Sequence, residues 1–303
     1  MRKVICCALL VIATRFAQSA DKRPKITAID HVDFYTTSPQ ANNEFYVHTL
    51  DLASVVPLEP GQTQRFMIGD QFVGYSPAPD PHARNRMDHV AFNTENAAAL
   101  RAYLIAKGIK VTDGYEILST NSRTFQVKDP EGHTIEFVQR VNSPSPPRGK
   151  NSNSNPVSRR MIHVGFIVHD RAAEDHFYRD ILGFHLYWQG GMQADKTDWA
   201  AMQVPDGTDW LEYMLNVEPN ADQHTMGVMN HISLGVRDIK EAQAKLESHG
   251  WKPNGDEKAQ MGRDGKWQLN LYDPDFTRIE LMEFKPVEKP CCSEFQGEHP
   301  SDQ

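Results

Sequence analysis

Four histidines stand at matching places in four short apolar stretches: His31 in "ITAIDHVDFYT", His89 in "RMDHVAFNT", His163 in "MIHVGFIVH" and His231 in "MNHISLGVR". A glutamate follows three of them at a nearly constant distance. Glu212 lies 49 residues after His163, Glu280 lies 49 after His231, and Glu136 lies 47 after His89. The first stretch breaks the pattern, because "QFVGYS" puts Gly74 where "WLEYML" puts Glu212. Glu136 and Glu280 sit in the apolar runs "HTIEFVQ" and "TRIELMEF", where a carboxylate is costly to bury unless something offsets its charge. Imidazoles and carboxylates aimed into one concave surface would bind a divalent metal, and the metal's charge would offset that cost. Two histidines and one carboxylate leave positions open for oxygen or substrate; two and two leave room for water or a chelating ligand. On this reading Glu280 is a metal ligand. The bland alternatives are a hydrogen-bonded core histidine and a carboxylate on the solvent face of an edge strand, and four equivalent copies argue against both.

The elements that must carry these residues repeat with them. Each histidine-bearing stretch alternates apolar and polar residues as a strand does. Helix-like segments follow: "QANNEFYVHTLDL", "NAAALRAYLIAKGI", "RAAEDHFYRDILGF" and "IKEAQAKLESHGW", with apolar residues three and four apart. Gly108 and Gly250 follow two of these as stop signals. Short strand candidates come next. The order strand, helix, three strands occurs four times, which predicts an α+β fold of four repeated units.

The chain has 303 residues and a formal net charge of −8, with no basic stripe, so nucleic acid is not an expected partner. "MRKVICCALLVIATRFAQSA" has the basic start, apolar run and small-residue end of a secretory signal peptide over residues 1–20. It predicts an exported protein, periplasmic or secreted, with no membrane contact once that segment is removed. Residues 141–160 are rich in Ser, Pro and Asn and read as a linker between domains at 26–140 and 161–285. Residues 286–303 read as a flexible tail. Its adjacent Cys291 and Cys292 form no zinc-finger pattern or disulfide framework. Monomer and homodimer are equally compatible with four modules that complete their own sheets.

The phrases "DHVDFY", "DHVAF", "HVGFIVHD", "FYRDILGF", "NHISLGV", "KDPEGHTIEF" and "YDPDFTRIEL" resemble the vicinal oxygen chelate superfamily. That superfamily includes glyoxalase I, extradiol dioxygenases and the bleomycin-resistance proteins. The resemblance covers residues 26–285 and implies two tandem domains, each of two βαβββ modules curled around a metal. Phe276 replaces the usual Gly of the last "DP-x-G" phrase. Carried over position by position, His163, Glu212, His231 and Glu280 would be a complete metal set. His31, His89 and Glu136 would be a second site or part of another pairing, with one corner empty at Gly74. If modules pair across the linker, the set becomes His89, Glu136, His163 and Glu212. The sequence leaves the pairing open.

The resemblance implies a divalent ion, Fe, Ni, Zn, Mn or Co, and a small chelating substrate. The first reading is a glyoxalase-type isomerase or lyase in which Glu212 is the catalytic base. An exported enzyme would meet little glutathione, so its substrate would be another chelator. The second is an Fe(II)-dependent ring-cleaving dioxygenase using His163, His231 and Glu280. That reading wants a histidine and a tyrosine where the register puts Asp209 and Asn270, with His224 and Tyr272 nearby. The third is a non-enzymatic drug binder of the bleomycin-resistance type. Trp188, Trp199, Trp210 and Tyr213 are candidates for pocket or core.

Overall fold

The computed structural model describes residues 22–55, 63–117, 122–140, 155–255 and 257–302. The expected signal peptide and residues 141–154 of the expected linker lie outside the described residues.

The first module runs β1 (Ile26–Thr36), α1 (Pro39–Glu44), β2 (Ala53–Val55), β3 (Gln64–Ile68) and β4 (Gln71–Pro77). The second runs β5 (Met87–Thr94), α2 (Ala97–Ala106), β6 (Tyr115–Ile117), β7 (Ser122–Lys128) and β8 (Thr134–Arg140). The third has β9 (Met161–Ile167), α3 (Arg171–Asp175), β10 (His185–Gly190), β11 (Trp199–Gln203) and β12 (Trp210–Met214). After α4 (Gln223–Met229), the fourth has β13 (His231–Val236), α5 (Ile239–Ser248), β14 (Gln260–Met261), β15 (Trp267–Tyr272) and β16 (Arg278–Glu283). The strand–helix–three-strand reading therefore holds in all four copies. Side chains of Asn96, Asp170 and Asp238 cap α2, α3 and α5 by accepting from backbone N–H groups of the first turn. Gly108 and Gly250 end α2 and α5 with positive φ.

The strands form two curled, mixed, eight-stranded sheets in the orders β2-β3-β4-β1-β5-β8-β7-β6 and β10-β11-β12-β9-β13-β16-β15-β14. Each sheet joins two modules through their opening strands, β1 antiparallel to β5 and β9 antiparallel to β13. Modules thus pair within halves, and the set drawn across the linker from His89, Glu136, His163 and Glu212 does not form. Both β9 and β13 are buried along their whole length, one face on the core and the other on a cleft.

The core runs continuously from one half into the other. Phe92 meets Phe184 edge to face at 5.4 Å, and Tyr103 Oη donates to the Ile181 carbonyl. Two side chains bolt the halves together at β1 and β9. Gln71 exchanges hydrogen bonds with the Met161 backbone, and Asp209 Oδ2 accepts from Ile29 N. The linker joins this body at residue 155: Val157 is buried and donates to the Leu50 carbonyl, and Lys245 Nζ donates to the Pro156 carbonyl. The expected linker therefore ends earlier than residue 160.

The two "DP" loops have the same structural task in opposite halves. Asp273 accepts from Tyr75 Oη at 2.6 Å, while Asp275 accepts from Thr36 and Thr37. In mirrored fashion Asp129 accepts from Tyr178 Oη, and Glu131 accepts from the backbone N–H groups of His169 and Asp170. Phe276 holds the positive φ of the glycine it replaces, at 68°, a conformation costing a non-glycine residue about 1–2 kcal/mol.

Glu174 lies fully buried at this junction, accepting from Glu131 N at 3.0 Å. Burial and then the neighbouring Asp129 charge push its pKa from 4.5 to about 8. A carboxyl raised on folding favours the folded state fully below its unfolded pKa, and that advantage is lost as pH rises towards the folded value. Over roughly pH 5 to 8 the denaturation midpoint should therefore fall less steeply in Glu174→Gln than in the parent chain. Parallel pH slopes in chemical denaturation would contradict this assignment.

Candidate metal centre

The four central strands of the second sheet lie in the order β12-β9-β13-β16, and their register builds two rows on the cleft face. Trp210, His163, Ser233, Glu280 and Asn270 form one row. Glu212, Gly165 and His231 form the next. Partners across a sheet point to the same face, so four candidate ligands from four strands meet above two small residues. Gly165 must be small because a Cβ there would lie 2.0 Å from His231 Cε1.

The geometry is tight. His163 Nε2 and His231 Nε2 are 3.1 Å apart. Glu280 Oε2 lies 3.3 Å from His163 Nε2, and Glu212 Oε2 lies 3.5 Å from His231 Nε2 and 3.8 Å from His163 Nε2. His163, His231 and Glu280 offer donor atoms all within 4.8 Å of one another. Both imidazoles are fully buried, whereas the Glu212 side chain is 13 % exposed. His231 Nδ1 donates to the Met229 carbonyl, which leaves its Nε2 lone pair facing the cleft.

Burial, then the nearby Arg278 charge, holds both histidines well below their ordinary pKa, in the neutral form that ligation requires. Burial, then the Glu280 charge, pushes Glu212 up to about 8, and burial raises Glu280 as well. Glu280 Oε2 is buried with no hydrogen-bond partner. A soft-to-borderline divalent ion suits this set of two imidazoles with one or two carboxylates. It would also relieve the two raised carboxylates.

Sequence reasoning missed several neighbours. Arg278 Nη2 lies 2.7 Å from His231 Nε2, so a guanidinium donates to a ligand nitrogen. Lys266 is fully buried under the site, with Nζ 4.6 Å from the centre of the Trp210 ring and 5.2 Å from those of Tyr187 and Phe295. Burial lowers its pKa to about 8, against the pull of Asp264, Glu280 and Glu212. Arg278 and Lys266 thus stand among three carboxyl groups, Glu212, Glu280 and Asp264.

The cleft above these residues holds about 380 Å³, in the range of small-ligand sites. Trp188, Trp199 and Trp210 line it, as the aromatic candidates allowed, but Tyr213 points into the core on the opposite face. Phe295 closes one wall. Residues 286–302 of the segment 286–303, expected to be loose, lie against β10. Gln296 N donates to the Tyr187 carbonyl, Tyr187 Oη pairs with His299 Nδ1, and Trp188 Nε1 donates to the Cys291 carbonyl. Cys291 and Cys292 are joined as a disulfide. The apolar faces of Tyr187 and Trp188 capture a segment whose polar composition suggested otherwise.

In the first half, His31 and His89 meet the same way, with Nε2 atoms 3.1 Å apart and Glu136 Oε2 3.5 Å from His89 Nε2. Asp209 and Asn270, the positions of interest for ring cleavage, part company. Asp209 turns to Arg160 and Ile29, away from the cleft, and Asn270 lines it. His224 and Tyr272 stack on each other, ring centres 6.2 Å apart.

A sequence model of the Glyoxalase/Bleomycin resistance protein/Dioxygenase superfamily matches residues 28–137 and 160–281. No curated protein sequence matches the chain. Among solved structures, the 2,3-dioxygenase LapB from Pseudomonas sp. KL28 is similar with a TM-score of 0.63 and 16 % identity, over 92 % of this chain and 96 % of that one. Homoprotocatechuate 2,3-dioxygenase from Arthrobacter globiformis follows with a TM-score of 0.62 and 16 % identity, over 86 % of this chain and 80 % of its own. BphC, a halotolerant catechol dioxygenase, gives 0.61 and 15 % identity over 86 % and 87 %. At such identities the likeness is one of fold. With both halves matched by the family's sequence pattern and built as its paired modules, this chain belongs to the Glyoxalase/Bleomycin resistance protein/Dioxygenase superfamily.

Proposed function

We propose that the chain is a divalent-metal-dependent enzyme that moves a proton within a small chelating substrate, in the manner of glyoxalases. His163, His231 and Glu280 would hold the ion, which when bound supplies a Lewis acid to polarise two neighbouring substrate oxygens. Glu212 carries this reading. It faces both imidazole nitrogens from farther off than Glu280 does, and it is more exposed than His163, His231 or Glu280. A carboxylate at the open edge of the site suits a base that would take a proton from a carbon beside a carbonyl and return it to the neighbouring atom. Arg278 would orient an anionic group of the substrate, and the tryptophans with Phe295 would keep water from the reacting carbon.

Ring cleavage is the second reading. The His163–His231–Glu280 triad and the aromatic walls favour it, and the similar solved proteins are described as dioxygenases. Against it, Asp209 is turned away from the cleft, and neither it nor Asn270 is the histidine or tyrosine that the resemblance calls for. The two readings separate on oxygen. Metal-loaded enzyme should exchange a substrate C–H proton with deuterated solvent and consume no oxygen with catechols. Oxygen uptake without exchange would replace the first reading by the second. Tight binding of a small aromatic with neither activity would leave a binding protein.

Glu212→Gln should lower kcat by about 10²- to 10⁴-fold while metal content stays that of the parent chain. Full turnover in this variant would remove Glu212 from the mechanism. Arg278→Met removes a donor that competes for His231 Nε2 and a like charge beside the ion. It should tighten metal binding roughly tenfold in calorimetric titration while raising KM for an anionic substrate. Weaker metal binding would mean that the guanidinium supports the ligand rather than competing for it.

A further inference from the structure

The first half looks as if it lacks one ligand, because Gly74 occupies the position of Glu212. Register shows where the acid went. In the second half the parallel strands β12 and β9 pair Glu212 with Gly165. In the first half β4 and β1 pair Gly74 with Asp33. Each half therefore has one acid and one glycine at this pair of positions, on opposite strands. The exchange is physical as well as formal: a Cβ built on Gly74 would lie 2.1 Å from Asp33 Oδ1. The Asp33 carboxylate fills the space where the Glu212 side chain sits in the other copy.

We propose that the N-terminal half holds a second divalent-cation site made by His31, Asp33, His89 and Glu136, with Asp33 supplying the corner that Gly74 vacates. Donor atoms of His31, Asp33 and His89 lie within 4.8 Å of one another. Asp33 Oδ1 is buried and accepts no hydrogen bond. Arg65, which follows Gly74 in the same cross-strand row, leans over the Phe72 ring at 4.7 Å.

Outer carboxylates orient both imidazoles. Asp30 Oδ1 takes the Nδ1 proton of His31 at 2.7 Å, and Asp88 Oδ2 takes that of His89 at 3.0 Å. Carboxylates placed behind histidines in this way fix the ring and make the opposite nitrogen a better ligand. The two Nε2 lone pairs then face each other at 3.1 Å, an arrangement that repels unless a cation lies between them. Glu136 is steadied by Thr124 Oγ1 at 2.5 Å and Gln126 Nε2 at 3.0 Å. Where β16 begins with Arg278 beside His231, β8 begins with Thr134 paired with His89, so this centre lacks a guanidinium at that point. The donor set of two imidazoles and two carboxylates suits Zn²⁺, Mn²⁺, Fe²⁺ or Co²⁺. This site does not depend on the activity proposed for the other half.

The test uses the full chain, stripped with a chelator and titrated with Zn²⁺, with metal counted by elemental analysis. The parent chain should take two ions and Glu280→Ala with His231→Ala should keep one. In that background Zn²⁺ should still raise the unfolding temperature. Adding Asp33→Asn should weaken the remaining ion at least tenfold and shrink that rise. Adding Asp33→Gly together with Gly74→Glu should restore it, because the carboxylate is moved back to the neighbouring strand. Circular dichroism checks that each variant is folded. Loss of all metal in the Glu280→Ala, His231→Ala background would overturn the proposal and leave a shared proton between His31 and His89. So would an ion that Asp33→Asn leaves unaffected.

Discussion

Two imidazole nitrogens held 3.1 Å apart on adjacent antiparallel strands are the constraint around which each sheet is arranged. Such closeness is unfavourable unless a proton or a metal ion lies between them, so the surrounding residues must either supply charge or make room for it. The second sheet does both. Gly165 and Ser233 leave space on the cleft face, and the next strands outward bring Glu212 and Glu280 to its edges. The opening strands can be buried on both faces because the cleft face is built from these few polar groups and the other face is wholly apolar. A single larger residue at Gly165 would push His231 out of line and take the rest of the constellation with it.

The same economy governs the junction between halves. The "DP" loops are the most family-like phrases in the chain, and they tie the halves together. Their acids bind tyrosines and backbone N–H groups of the opposite half, which fixes the start of each final strand and hence the height of Glu136 and Glu280 in their clefts. Phe276 tolerates a strained backbone to keep that loop shape. The motif is therefore a positioning device at the head of the strand that bears Glu136 or Glu280.

Much of this was legible in the sequence because it is local. Alternation marked the four opening strands, spacing of three and four marked the helices, and constant histidine-to-glutamate distances marked the residues that meet in the cleft of the second half. Module pairing was not legible, since no local signal says which opening strand lies beside which. Gly74 read as an empty corner for a related reason. Distance along the chain compares positions on one strand, whereas Asp33 reaches the corner from the adjacent strand at the same register. The "DH" pairs Asp30–His31 and Asp88–His89 were visible but unread. Parity alone would have sent Tyr213 to the core and Trp210 with Glu212 to the cleft. The tail misled through composition: its few apolar residues, Phe295 above all, find Tyr187 waiting.

The halves differ most in how charge is balanced before any ion arrives. In the second, Arg278 and Lys266 already face Glu212 and Glu280, so an ion entering there competes with resident cations and gains less from each carboxylate. In the first, Asp30 and Asp88 stiffen the imidazoles from behind, Glu136 is hydrogen-bonded, and Oδ1 of Asp33 is buried without a hydrogen bond. Those features favour holding an ion over exchanging it. The repeated module thus carries two constellations of imidazoles and carboxylates with different charge balances, and the aromatic walls and docked tail belong to the one that contains Arg278 and Lys266.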